Sequence, residues 1–222
     1  MRSILFAAAL VLAMLPATAA NAQDQPTCFG RQATIVGTEG DDNLWGEATD
    51  GPDVIVGLGG RDDINGFDGD DFACGNSGND RLTDFSGDDH MAGDGGNDEF
   101  NESFTAGNDV LDGGGGTDTA DYEHEATVDL GTGSATGPTI GQDVLVGIEN
   151  LGAGSGSVIF IGDAGSNALT GNEGRDRIRG KGGDDVLRGD ELKDRLNGGA
   201  GEDTCYGTPG FDIITNCEHI VS

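Results

Sequence analysis

A nine-residue phrase recurs along this chain, and no other feature limits its fold so tightly. From Gly37 it runs GTEGDDNLW, then, after a two-residue expansion, GLGGRDDIN, GFDGDDFAC, GNSGNDRLT, DFSGDDHMA and GDGGNDEFN. A second expanded unit covers Glu102 to Asp112, and GGGGTDTAD follows at Gly113 to Asp121. The phrase returns between Gly162 and Thr215 as GDAGSNALT, GNEGRDRIR, GKGGDDVLR, GDELKDRLN, GGAGEDTCY and GTPGFDIIT. Glycine at the first and fourth positions permits tight turning. Aspartate holds the sixth position and an apolar residue the eighth. One apolar side chain in nine cannot make a core alone, so units must stack. The eighth-position residues expected to point inward are Leu44, Ile55, Ile64, Ala73, Leu82, Met91, Phe100, Leu111 and Ala120, then Leu169, Ile178, Leu187, Leu196, Cys205 and Ile214.

Two successive phrases read as strand–loop–strand–loop, one turn of a flattened coil, with turns stacked at about 4.8 Å. Residues two phrases apart then lie over one another, giving two thin apolar columns and two stacks of loops. The loops gather the sixth-position carboxylates, which repel in poor solvation unless a cation comes between them. Calcium suits that setting, because it takes about six to eight oxygen ligands in flexible geometry, and carboxylates with glycine-loop carbonyls supply them. Magnesium demands a tighter octahedron and keeps its water. Transition metals want imidazole or thiolate, and the three histidines are out of register with one another.

GLGGRDDIN and GKGGDDVLR resemble the G-G-x-G-x-D-x-U-x phrase of the RTX, or hemolysin-type, calcium-binding repeat family. The resemblance implies an all-β fold, a parallel β-roll (a β-solenoid) of Gly/Asp-rich nonapeptides, with multiple Ca2+ ions between successive turns. Carried over position by position, it makes Asp42, Asp53, Asp62, Asp71, Asp80, Asp89, Asp98, Asp109 and Asp118 ligands, and then Asp176, Asp185, Asp194, Asp203 and Asp212. Asn167 holds the same place as a weaker ligand. Leu192 replaces a fourth-position glycine beside Asp194, and Val158 stands where an aspartate would, so no calcium is assigned there.

The chain departs from many members of that family at its ends. Arg2, the apolar run Ile4 to Leu15, Pro16 and the Ala20-Asn21-Ala22 site read as a secretory signal peptide over 1–22. The run is too short to span a bilayer, which takes roughly 20 residues. Four cysteines in an exported chain imply two disulfides. Local pairing, Cys28–Cys74 and Cys205–Cys217, is the expectation, and zinc spacing is absent. Secretion by the ordinary route to the extracellular space follows, with association at the cell surface as one possible end.

The resulting organisation is a cap over 23–36, a repeat block over 37–121, an insert over 122–161, a second block over 162–215 and a C-terminal cap over 216–222. The insert breaks the nine-residue rhythm, yet ATVDLGTGSATG and GQDVLVGIENLG alternate like strands. It is expected to continue the coil with longer turns and no calcium; Asp143 lacks the glycine-rich phrase before it and is expected outside the stack.

With 41 acidic residues against 11 basic ones, the net charge is -30. That excludes nucleic acid as a partner, since it asks for a basic patch. Seven bases cluster between Arg175 and Arg195. They are expected to offset neighbouring aspartates, although such a stripe also suits an anionic surface such as cell-surface polysaccharide. His124-Glu125 is not followed by a second histidine at 128, and no nucleophile elbow or P-loop occurs. The expectation is no catalysis: a calcium-binding module with a structural or surface-interaction role, partnered by calcium and by polysaccharide or another extracellular protein. The alternative is an accessory to, or remnant of, a secreted hydrolase or toxin.

Overall fold

A computed structural model describes residues 25–45, 51–84, 86–102, 107–208 and 211–221. The expected signal peptide lies outside them. The described residues form strands and turns with no helix.

Positions seven to nine of each phrase make a strand of about three residues, as in Asp63–Asn65 or Val186–Arg188. Such a strand cannot stand alone, so its hydrogen bonds go to the strands one turn above and below. One sheet has ten strands, all parallel, and its central residues follow the register Ile64, Leu82, Phe100, Ala120, Leu151, Leu169, Leu187 and Cys205. The other has twelve strands and stacks Ile55, Ala73, Met91, Leu111 and Leu145, then Phe160, Ile178, Leu196 and Ile214. Every eighth-position residue points inward as expected: those named are buried, with Leu44 and Ile214 half-buried at the ends. The architecture is a parallel β-roll.

The two extra strands come from the insert. Thr127–Asp129, Ser134–Gly137 and Gly141–Val146 run as an antiparallel meander inside an otherwise parallel sheet. Its outer members pair in parallel with the flanking turns, Gly141–Val146 on Val110–Asp112 and Thr127–Asp129 on Ile159–Ile161. The opposite sheet passes the insert without interruption, since Thr119–Tyr122 pairs directly with Asn150–Ala153. Val128, Ala135, Leu145, Leu151 and Phe160 continue the core.

Both expected disulfides form, Cys28–Cys74 and Cys205–Cys217. The first anchors a hairpin, Thr27–Cys28 with Arg31–Gln32, over the outer face of the early turns. There Val54, Val56, Phe72, Cys74 and Ala92 form a second small core with Cys28 and Ala33. The His90 ring stacks on Phe72 at 4.9 Å beside that core.

Candidate metal centre

The roll's sixth-position aspartates form two ladders, one along each edge. In each step one carboxylate oxygen accepts the backbone N–H of the aspartate one turn earlier. On the edge leading into the ten-stranded sheet, Asp42 N–H donates to Asp62 Oδ1 at 2.9 Å, Asp62 to Asp80 at 2.8 Å, Asp80 to Asp98 at 2.8 Å and Asp98 to Asp118 at 2.8 Å. On the other edge Asp53 donates to Asp71, Asp71 to Asp89, and Asp89 to Asp109. The later turns repeat the pattern: Asp176 to Asp194 to Asp212, and Asn167 to Asp185 to Asp203.

The second oxygen of these aspartates is the informative one. Oδ2 is buried with no hydrogen-bond partner in Asp53, Asp62, Asp71, Asp80, Asp98, Asp109, Asp118, Asp176, Asp185, Asp194 and Asp203. Leaving a carboxylate oxygen buried and unpaired is costly, and a whole column of them requires a counter-charge. The setting shows in their protonation. Burial, reinforced by neighbouring aspartates and opposed by the backbone N–H bond, lifts Asp71, Asp98 and Asp185 to about 6 and Asp109 to about 7. Burial likewise lifts Asp176 to about 7 and raises Asp62, Asp80, Asp118 and Asp194. At the ends, Asp42 and Asp212 instead take local N–H groups from Thr38 and Thr208.

The glycines divide the work in a way the phrase alone does not show. Gly78, at a fourth position, has φ of 149° and a Cβ there would run into the Gly60 carbonyl of the turn before. Gly75, at a first position, is not left-handed; a Cβ on it would overlap Asp80 Oδ2. First-position glycine therefore vacates room for the carboxylate. Leu192, placed where a glycine belongs, adopts φ of 68° with its side chain exposed, and Asp194 keeps its buried place.

The family comparison agrees with this geometry. The profile of the RTX calcium-binding nonapeptide repeat, which spans four copies, matches residues 33–50, 47–82, 75–100, 105–122, 161–192 and 180–214, together well over half of the chain. The chain belongs to the RTX calcium-binding nonapeptide repeat family. No curated relative is matched significantly by sequence. As an RTX roll it binds Ca2+ at many sites, and the buried, unpartnered column of oxygens fits that ion.

Three features escaped the sequence reading. Asp143, expected outside the stack, is inside it: it is 2 % exposed, its Oδ1 accepts Asp109 N–H at 3.3 Å, and its Oδ2 is unpartnered. Burial raises it to about 7. Parallel pairing of Val144 with Val110 sets it in register without a glycine-rich loop. The signal was present, because Asp143-Val144-Leu145-Val146-Gly147 copies the D-V-L-x-G of Asp185 to Gly189. Glu149 and Glu218 also close ladder steps, accepting from Asp118 and Asp203, whereas Val158 offers only its N–H, to Asp176. Finally, fifth-position side chains form a second ladder of opposite sense: Asp88 N–H donates to Asp70, Asn97 to Asn79, Asn108 to Asp88 and Glu202 to Asp184. The basic cluster lies exposed, with Arg188 half-buried. Its only ion pair among the described residues is Lys181–Asp129 at 3.2 Å, and Arg177 and Arg195 stand side by side across parallel strands.

Proposed function

We propose that this chain is an exported, non-catalytic calcium-binding module whose roll assembles when calcium arrives, and whose role outside the cell is structural or in surface interaction. The observation that carries the reading is the column of buried Oδ2 atoms without partners along both edges. The ligands are Asp42, Asp53, Asp62, Asp71, Asp80, Asp89, Asp98, Asp109 and Asp118 in the first run and Asp176, Asp185, Asp194, Asp203 and Asp212 in the second, with Asp143 added. A metal-bound carboxylate is held ionised and makes a poor general acid, which argues against chemistry at these sites. Two disulfides and the apolar leader support export. The unpaired Arg177 and Arg195 support an anionic polysaccharide as the surface partner.

Circular dichroism in chelator and in millimolar calcium tests the folding claim. Strand content should be low in the first and full in the second, because binding energy serves as folding energy here. Equal strand content in both would refute it.

A further inference from the structure

At first positions on the column that ends the strands of the ten-stranded sheet, three glycines are replaced by residues with functional groups, Asp84, Glu102 and Tyr122. Glu102 and Tyr122 are register partners on adjacent parallel strands. First-position side chains point inward, against the sixth-position carboxylates. Glu102 is 3 % exposed, and carboxylate oxygens of Glu102, Asp109 and Asp143 lie within 4.8 Å of one another. Two ligands on one calcium ion, each at about 2.3–2.6 Å, are at most about 5 Å apart, so the three suit a single ion. Glu102 Oε1, Asp109 Oδ2 and Asp143 Oδ2 have no hydrogen-bond partner, and neither has the hydroxyl of Tyr122, which is 0 % exposed. The phenol feels the charges of the same three carboxylates, Glu102 first.

We propose that Glu102, Asp109 and Asp143, with the Tyr122 hydroxyl beside them, form an interior calcium site built from side chains, which fastens the antiparallel meander to the first repeat run. It rests on the calcium reading of the ladder, from which it takes Asp109 and Asp143, but its defining ligand stands at a first position, where the repeat phrase has glycine and no ligand. Its place in the fold explains its need. Asp143 lies in the strand Gly141–Val146, which pairs in parallel with Val110–Asp112 on one side and antiparallel within the meander on the other, and the glycine-rich loop that would supply carbonyl ligands is missing there. A third carboxylate from Glu102 replaces those carbonyls. The donors are all hard oxygens, with no imidazole or thiolate, which selects calcium over transition metals. Three anionic protein ligands leave little of the hydration that magnesium retains.

The test uses terbium as a calcium substitute, since a tyrosine beside the ion sensitises its emission. The chain has one tryptophan, Trp45, exposed and remote in sequence, so a Trp45→Phe background removes its contribution. In that background Tyr122→Phe should abolish most of the tyrosine-sensitised emission. Glu102→Gln should lose it as well and bind one calcium ion fewer by native mass spectrometry, with affinity at this site down about 10–100-fold. Asp80→Ala should lose ions from the regular ladder and keep the emission. Unchanged ion count and emission in Glu102→Gln, or emission that survives Tyr122→Phe, would overturn the site while leaving the ladder standing. If Asp80→Ala loses no ion, the ladder itself is wrong. Should Glu102→Gln not fold, Glu102→Ala decides by the same two readouts, because Ala153, the residue beyond Tyr122 in this column, is buried as an alanine.

Discussion

At the scale of single residues, each nonapeptide position has one physical task. The sixth was legible in the sequence because a carboxylate repeated at fixed spacing, in loops that stack, calls for a hard cation. The first was misread: glycine there suggested a turn, but Gly75 matters for the space it leaves to Asp80. The fifth looked variable because Asp, Asn and Ser all supply one acceptor oxygen, so a common task hid behind different letters. Asp143 was missed because its partner lies 34 residues away and the phrase before it is absent. Four substitutions separate these tasks. Asp143→Ala and Asp80→Ala should each lower calcium stoichiometry in calorimetric titration. Gly75→Ala should do the same by displacing the Asp80 carboxylate while leaving backbone angles alone. Gly78→Ala should cost about 2 kcal/mol of stability in the calcium-loaded state, from the left-handed backbone and the clash with Gly60. If Asp143→Ala bound as much calcium as the parent, its place in the ladder would have no functional meaning.

At the scale of elements, the roll's weak points are its ends and its meander. A terminal turn has a neighbour on one side only, so it frays first unless capped. The cap at the start is a two-stranded hairpin too small to hold by itself, which makes Cys28–Cys74 the tie between it and the strand Phe72–Ser77. Closing a separation of 46 residues is worth about 4 kcal/mol in the chain-entropy account, against about 3 for the 12 between Cys205 and Cys217. Replacing Cys28 and Cys74 together by serine should therefore strip hydrogen-exchange protection from Ile35–Val36 and Val54–Gly59 first. Protection at Thr204–Tyr206 should hold. A uniform loss along the chain would mean the bond stabilises the molecule globally and caps nothing. The pairing was readable from sequence proximity, whereas the antiparallel meander was not: alternation announces strands but not their direction or partners.

For the whole molecule, the net charge of -30 and the buried aspartates set one balance that calcium and protons tip in opposite directions. In the folded coil burial holds Asp71, Asp98 and Asp185 at about 6 and Asp109, Asp143 and Asp176 at about 7, against an ordinary 3.8. A raised folded-state pKa means that folding takes up protons between the two values. The contribution to stability is complete below 3.8 and is lost as pH rises through about 6 to 7. In chelator, then, the roll should gain strand content and thermal stability as pH falls from about 7.5 to about 5, protons serving where calcium would, and relief of net charge acts in the same direction. In saturating calcium the dependence should reverse, since protons compete with the ion for the same oxygens and acid lowers affinity. Melting curves across that window, with and without calcium, should slope in opposite senses and converge at the acid end. A chelated protein that lost structure on acidification would show that its buried carboxylates are solvated when the ion is gone, and that the unpartnered oxygens exist only in the calcium-loaded coil.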